Sequence, residues 1–199
     1  MFTINIYIKF ALIAILLVGG TALLFAYGFW YAFPFLIAGI ILLLSYIFLG
    51  TVQSTAQLVQ DQNFAEAEKR IALTLKPDWL YKTNRAFYYM IQGTLAMNRK
   101  DNDAAEAWLT KAQHIELPSD NEKAMVYLQL ANIHAGKGKW PKAKAMFNNT
   151  KKLKITEPMI KEQIKHFEKA LTNRGQAKNQ MGMHGGRRGG FRRPKTKKR

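Results

Sequence analysis

His114, His134, His166 and His184 are the only imidazoles in this 199-residue chain, and no cysteine accompanies them. They are scattered, with no His-x3-His spacing and no carboxylate at ligand spacing, so no metal is expected. Without thiols there is neither a disulfide framework nor a thiolate site. No phosphate-cradling Gly loop, no Ser/His/Asp arrangement and no carboxylate pair in an apolar setting occurs, so neither catalysis nor a cofactor is expected. His134 reads as a packed core ring, and Gly136-Lys137-Gly138-Lys139 as a tight basic turn. What the side chains do offer is charge. The net charge is +17, and it is unevenly spread. The first fifty residues carry +1, and residues 51–171 have 19 basic and 13 acidic side chains. From Thr172 onward there are ten basic residues and no acid. Arg187, Arg188, Arg192, Arg193, Lys195, Lys197, Lys198 and Arg199 suit an anionic surface, because each can neutralise a phosphate and release counterions. Phe191 adds one stacking ring.

The elements that must position these charges begin in a different solvent. Between Phe10 and Gly50 there is no charged residue, and Lys9 is the only charge before them. About forty uncharged, mostly apolar residues are too many for one span of about 20 and sufficient for two. Gly28, Pro34 and the aromatic rings between them mark a turn at the membrane–water boundary. The expectation is a transmembrane helical hairpin within residues 1–50, with spans over about 8–26 and 33–49. A cleaved signal peptide has a shorter apolar region followed by small residues, and this run leads directly into a second. Lys9 stands at the start of span one and the turn lacks Lys and Arg, so both termini are expected in the cytoplasm of a multi-pass inner-membrane protein. Span two is expected to run on as the next helix, about 48–60, with Gly50 as a slight bend. The alternative is a short kink carrying a tethered domain.

Beyond the hairpin the chain repeats. Ala67, Ala105 and Ala143 lie 38 residues apart. Four positions after each comes a large apolar residue, Ile71, Leu109 or Phe147. Three further on comes a small one, Thr74, Ala112 or Thr150, and twelve before each Ala stands Thr55, Gly93 or Ala131. Self-similarity at a period of about 20–50 residues signals stacked helical units, whose usual work is holding partners. At Gly93 and Ala131 two helices are expected to cross closely.

The spacing resembles the tetratricopeptide repeat, in which an aromatic, a Leu-Gly pair and an A-x3-F core recur on paired helices. Tyr127, Leu130, Ala131, Trp140, Ala143 and Phe147 carry the pattern in copy three. Tyr89, Gly93, Ala105, Leu109, Ala112 and Pro118 carry it in copy two. Copy one keeps Phe64, Ala67 and Ile71, with Thr51 at the leading aromatic place. Three repeats over residues 51–155 follow, and the excess over the usual step of about 34 falls in a connection around residues 117–120.

The resemblance implies a concave groove lined by the first helix of each repeat. By register that groove comprises Phe87, Met90, Thr94 and Met97, then Met125, Leu128 and Asn132. Met90 and Leu128 stand where a peptide-carboxylate clamp would need a basic residue, leaving Asn132 alone. A Met-rich apolar groove instead suits an amphipathic helix or an adaptable protein partner. The other occupant is the chain's own last helix. Thr156 can cap it, Pro158 suits its first turn, and Ile160, Ile164, Phe167 and Leu171 recur at helical spacing. A capping helix over residues 156–171 and a disordered basic tail over 172–199 complete an all-α protein. Gly185-Gly186-Arg187-Arg188-Gly189-Gly190-Phe191-Arg192-Arg193 resembles the Arg/Gly-rich segments of RNA-binding proteins. RNA or the ribosome, anionic lipid, and plain solvation all fit the tail. The expected role is a membrane-tethered scaffold for a protein partner, with RNA or ribosome binding through the tail as the alternative.

Overall fold

The computed structural model describes residues 6–185, and side chains as far as residue 174. Among the described residues the regular structure is helical, with one 3-10 turn and no strand. Helices α1 (Ile6–Tyr27) and α2 (Phe29–Leu49) are both long and apolar enough to cross a membrane. Their 22 and 21 residues reach about 30 Å, the depth of a bilayer's hydrocarbon core. Gly39 lets the pair approach, since a Cβ there would lie 2.7 Å from Leu17 Cδ2. Lys9 Nζ donates to Ser45 Oγ at 3.1 Å, and the Phe10 ring meets Tyr46 edge-on. Most of the remaining apolar surface is uncovered, Phe25 at 86% and Trp30 at 83% exposure being extreme.

The turn is shorter than expected. Gly28 alone reverses the chain, at φ 88° and ψ 177°, and α2 already includes Pro34. Gly reaches that conformation at little cost, so the aromatic residues after it are free to be helical. Pro34 forfeits one hydrogen bond near the helix start.

The junction after α2 also differs from a continuous helix. Gly50, at φ 62° and ψ −152°, ends α2, and α3 (Val52–Gln60) starts anew. The break is nonetheless packed. Tyr81 N–H donates to the Phe48 carbonyl at 2.9 Å, and Asn84 Nδ2 to the Leu49 carbonyl at 2.8 Å. These carbonyls are among those a helix end leaves without partners. Thr51 Oγ1 donates to the Arg70 carbonyl at 2.7 Å and lies 2.9 Å from the Thr74 hydroxyl. The Tyr46 hydroxyl donates to the Leu73 carbonyl. Thr51, which leads copy one where an aromatic was expected, therefore serves the joint.

Three antiparallel helix pairs follow: α3 with α4 (Phe64–Ala72), α5 (Lys82–Asn98) with α6 (Asn102–Gln113), and α7 (Asp120–Gly136) with α8 (Trp140–Thr150). Phe64, Asn102 and Trp140 each start a second helix, 38 residues apart. Ala67, Ala105 and Ala143 are fully buried, with Ile71, Leu109 and Phe147 beside them in the sequence step and in the core. A Cβ on Gly93 would stand 2.6 Å from Leu109 Cγ, so the crossing of α5 and α6 requires its absence.

The turns inside the pairs repeat in conformation as well as length. Gln62, Lys100 and Gly138 occupy equivalent positions with φ of 59°, 62° and 72°. After each, a backbone N–H reaches five residues back: Asn63 to Leu58 at 2.8 Å, Asp101 to Ala96 at 3.0 Å, and Lys139 to His134 at 2.8 Å. This left-handed closure satisfies the last carbonyls of the first helix. Asn63 and Asp101 then cap the next helix, accepting from Glu66 and Ala104 N–H. The 38-residue step includes 17-residue first helices in pairs two and three and connections over 73–81 and 114–119, so the extra length is not confined to 117–120.

A separate unit begins at Lys154 and contains α9 (Pro158–Gly185). Pro158 opens α9 as expected, and Lys161 N–H donates to the Glu157 carbonyl. The helix does not stop at Leu171. It continues to Gly185, so residues 172–185 of the expected disordered tail are helical. Loss of apolar periodicity removes a reason for packing, but helical hydrogen bonds are local and no proline interrupts this stretch. Residues 186–199 lie outside the described residues.

Candidate functional site

The first-helix face expected to form an apolar groove is largely occupied by its own packing. Met90 and Leu128 are buried at 6% and 3% exposure, and so do not face outward. Met90 joins Ala86, Leu109, Val126 and Leu130 in one core, against which Phe87, Met97 and Met125 also pack. Thr94 donates to the Met90 carbonyl at 3.0 Å, and Gln129 Nε2 lies 3.5 Å from its hydroxyl, linking α5 to α7. Of the seven expected groove residues only Asn132 is exposed. The reason is geometric. Helix α5 packs against α3, α4 and α6, so buried residues spread around most of its circumference. A one-sided reading of the register could not show that. The other expected site residues, Arg187, Arg188, Phe191, Arg192, Arg193, Lys195, Lys197, Lys198 and Arg199, fall outside the described residues.

His134 is buried, as the sequence suggests for a packed ring. Its Nδ1 has no hydrogen-bond partner and lies 3.8 Å from Glu106 Oε1. Burial lowers its pKa, opposed by Glu106 and reinforced by Lys142, Lys139 and Lys137. Lys137 Nζ sits between Asp103 Oδ1 at 2.6 Å and Glu106 Oε2 at 2.5 Å. Those hydrogen bonds raise the lysine's pKa and lower both carboxyls. The cluster fastens α6 to the turn after α7. Among the described residues no three His, Cys, Asp or Glu converge as a metal site.

A second surface had a sequence signal that the charge count over residues 51–171 averaged away. No acidic residue occurs from Lys123 to Thr156. Within this run Lys139, Lys142, Lys144, Lys151 and Lys152 are exposed on and beside α8. Lys151 Nζ lies 5.3 Å from the Phe147 ring centre. Their flexible stems present point charges without a fixed fork. Elsewhere basic side chains meet acids, as where Arg99 meets Glu68 at 2.9 Å and Lys82 meets Glu116 at 2.8 Å.

No family model, no curated protein and no solved structure matches this chain.

Proposed function

We propose that this protein is a membrane-tethered helical-repeat adaptor, of tetratricopeptide-like design, that holds an acidic protein partner near the membrane. The observation that carries the reading is the joint. An apolar hairpin with most of its side chains uncovered passes through a hydrogen-bonded junction into a stack of helix pairs. The hairpin spans the inner membrane, with both termini on the cytoplasmic side. Met90 and Leu128 are buried, so the groove offers little apolar surface. The exposed lysines of α8 and the basic carboxyl end favour electrostatic recognition.

The second reading is binding of RNA or the ribosome, and the Arg/Gly block with Phe191 favours it. Purification of the full chain, and of a chain ending at Gly185, from detergent at low and high salt tests both. Salt-sensitive protein partners that resist nuclease and survive the truncation support the adaptor. Partners lost to nuclease and to truncation support RNA. Partners indifferent to salt would refute electrostatic recognition in either form.

A further inference from the structure

The segment between α4 and α5 carries an apolar surface that the repeat pattern does not explain. Leu75, Trp79 and Tyr81 are 63%, 51% and 65% exposed, while Leu80 between them is buried. Three large apolar side chains uncovered within seven residues are unusual on a water-facing loop unless they meet something. Their place in the fold identifies what they meet. Tyr81 N–H is bound to the Phe48 carbonyl in the last turn of α2. A Cβ on Gly50 would lie 2.8 Å from Leu80 Cδ2. On the facing helix, the Arg70 guanidinium lies 5.5 Å from the ring centre of Tyr7, at the start of α1. The segment therefore lies beside the ends of both hairpin helices, with Leu75, Trp79 and Tyr81 uncovered there.

We propose that residues 73–81 form a third membrane contact, an interfacial anchor in which Leu75, Trp79 and Tyr81 enter the headgroup–acyl boundary of an anionic leaflet. This rests on the hairpin being transmembrane. Trp and Tyr favour this boundary because each ring has an apolar body and a polar edge. Lys76 Nζ lies over the Trp79 ring, 4.9 Å from its centre, which holds a cation beside the indole where lipid phosphate would lie. Arg70 supplies a second cation at the same level. The short 3-10 turn Pro77–Trp79 fixes the loop, with Leu80 N–H bound to the Pro77 carbonyl at 3.1 Å. The contact would hold the first helix pair against the bilayer instead of leaving it on a free tether.

The absence of cysteine lets single sites be labelled. Leu75→Cys, Trp79→Cys, Ile15→Cys and Lys142→Cys carry a nitroxide in the full chain, reconstituted into phosphatidylethanolamine–phosphatidylglycerol vesicles. Collision with oxygen and with a water-soluble nickel chelate reports the depth of each label. The expected order places Ile15 deep, Leu75 and Trp79 at the headgroup level, and Lys142 in water. If Ile15 is deep while Leu75 and Trp79 match Lys142, the anchor is refuted and the hairpin stands. If Ile15 itself is water-accessible, the transmembrane reading fails and the anchor fails with it. Replacing phosphatidylglycerol with phosphatidylcholine should shift positions 75 and 79 toward water and leave Ile15 unchanged. No shift would overturn the assigned role of Arg70 and Lys76.

Discussion

Replacing Lys100 with glycine should stabilise this protein, although lysine is the more helix-compatible residue. Lys100 sits at φ 62° in the turn between α5 and α6. Left-handed backbone costs a residue with a Cβ about 1–2 kcal/mol. Glycine avoids that cost but loses about 0.5–1 kcal/mol more conformational entropy on folding. The expected net gain for Lys100→Gly is about 0.5–1 kcal/mol, or a Tm rise of about 2–4 °C per kcal/mol in a chain of this size. Gly138 provides the reverse experiment at the equivalent position, φ 72°. No atom lies within 4 Å of a Cβ built there, so Gly138→Ala isolates the backbone term. It should destabilise by about 0.5–1 kcal/mol. Gln62→Gly should behave like Lys100→Gly, and the two should add, since they lie in separate turns. Thermal unfolding of the full chain in mild detergent, followed by far-UV circular dichroism, measures all three. A Gly138→Ala chain as stable as its parent, together with a destabilised Lys100→Gly chain, would refute the shared turn conformation.

Ala143→Arg forces a charge into a fully buried site and should cost several kcal/mol, about 3–5 if the charge stays unpaired, whereas Lys142→Arg at an exposed neighbour should change Tm little. His134 has a pKa lowered by burial, so the unfolded chain takes up its proton first as pH falls. Stability should therefore drop below about pH 6.5, and His134→Phe should flatten that slope in acid-unfolding curves. Lys137→Met removes the partner that lowers the Asp103 and Glu106 pKa values. Their contribution is present above ordinary carboxylate pKa values and lost as pH falls through the lowered ones, so the variant should show less acid-dependent loss of stability than its parent. With cysteines at Gly28 and Lys142, an impermeant thiol reagent should label position 28 from outside intact cells and leave position 142 silent; the opposite pattern would invert the proposed topology.

The alanine step was legible because burial at a close crossing selects small residues, and Ala67, Ala105 and Ala143 are all completely covered. The turn repeat was not, because Gln, Lys and Gly share one backbone conformation and only the glycine advertises it. The apolar hairpin announced itself by the missing charge, yet its turn was drawn too long. Pro34 and the surrounding rings resemble a break, while Gly28 supplies the whole reversal and proline costs the helix a single bond. Gly50 misled in the other direction, since a glycine after an apolar run signals a mild bend and a full stop equally well until its φ is known. Met90 and Leu128 were assigned to an open face by register alone. Which sides of α5 and α7 remain open depends on packing that periodicity along one helix does not contain.

The joint also changes how charge near the hairpin should be counted. Along the sequence the first basic residue after α2 is Lys69, twenty positions beyond Leu49. In space the chain folds back. Arg70 reaches Tyr7, Leu73 accepts from Tyr46, and Tyr81 binds the last turn of α2. Lys9, Arg70 and Lys76 therefore gather at one end of the hairpin, while the Gly28 end has no charged side chain between Phe10 and Gly50. Retention of positive charge acts on segments near the span ends during insertion, before the repeats have folded. In the proposed topology Lys9 would then set the initial orientation, and Arg70 and Lys76 would reinforce it only after the first helix pair closes on the joint. If the proposed topology holds, the same hydrogen bonds at Thr51, Tyr46 and Tyr81 connect folding of the helix pairs to its stability, and a chain that cannot close this joint should hold its orientation by Lys9 alone.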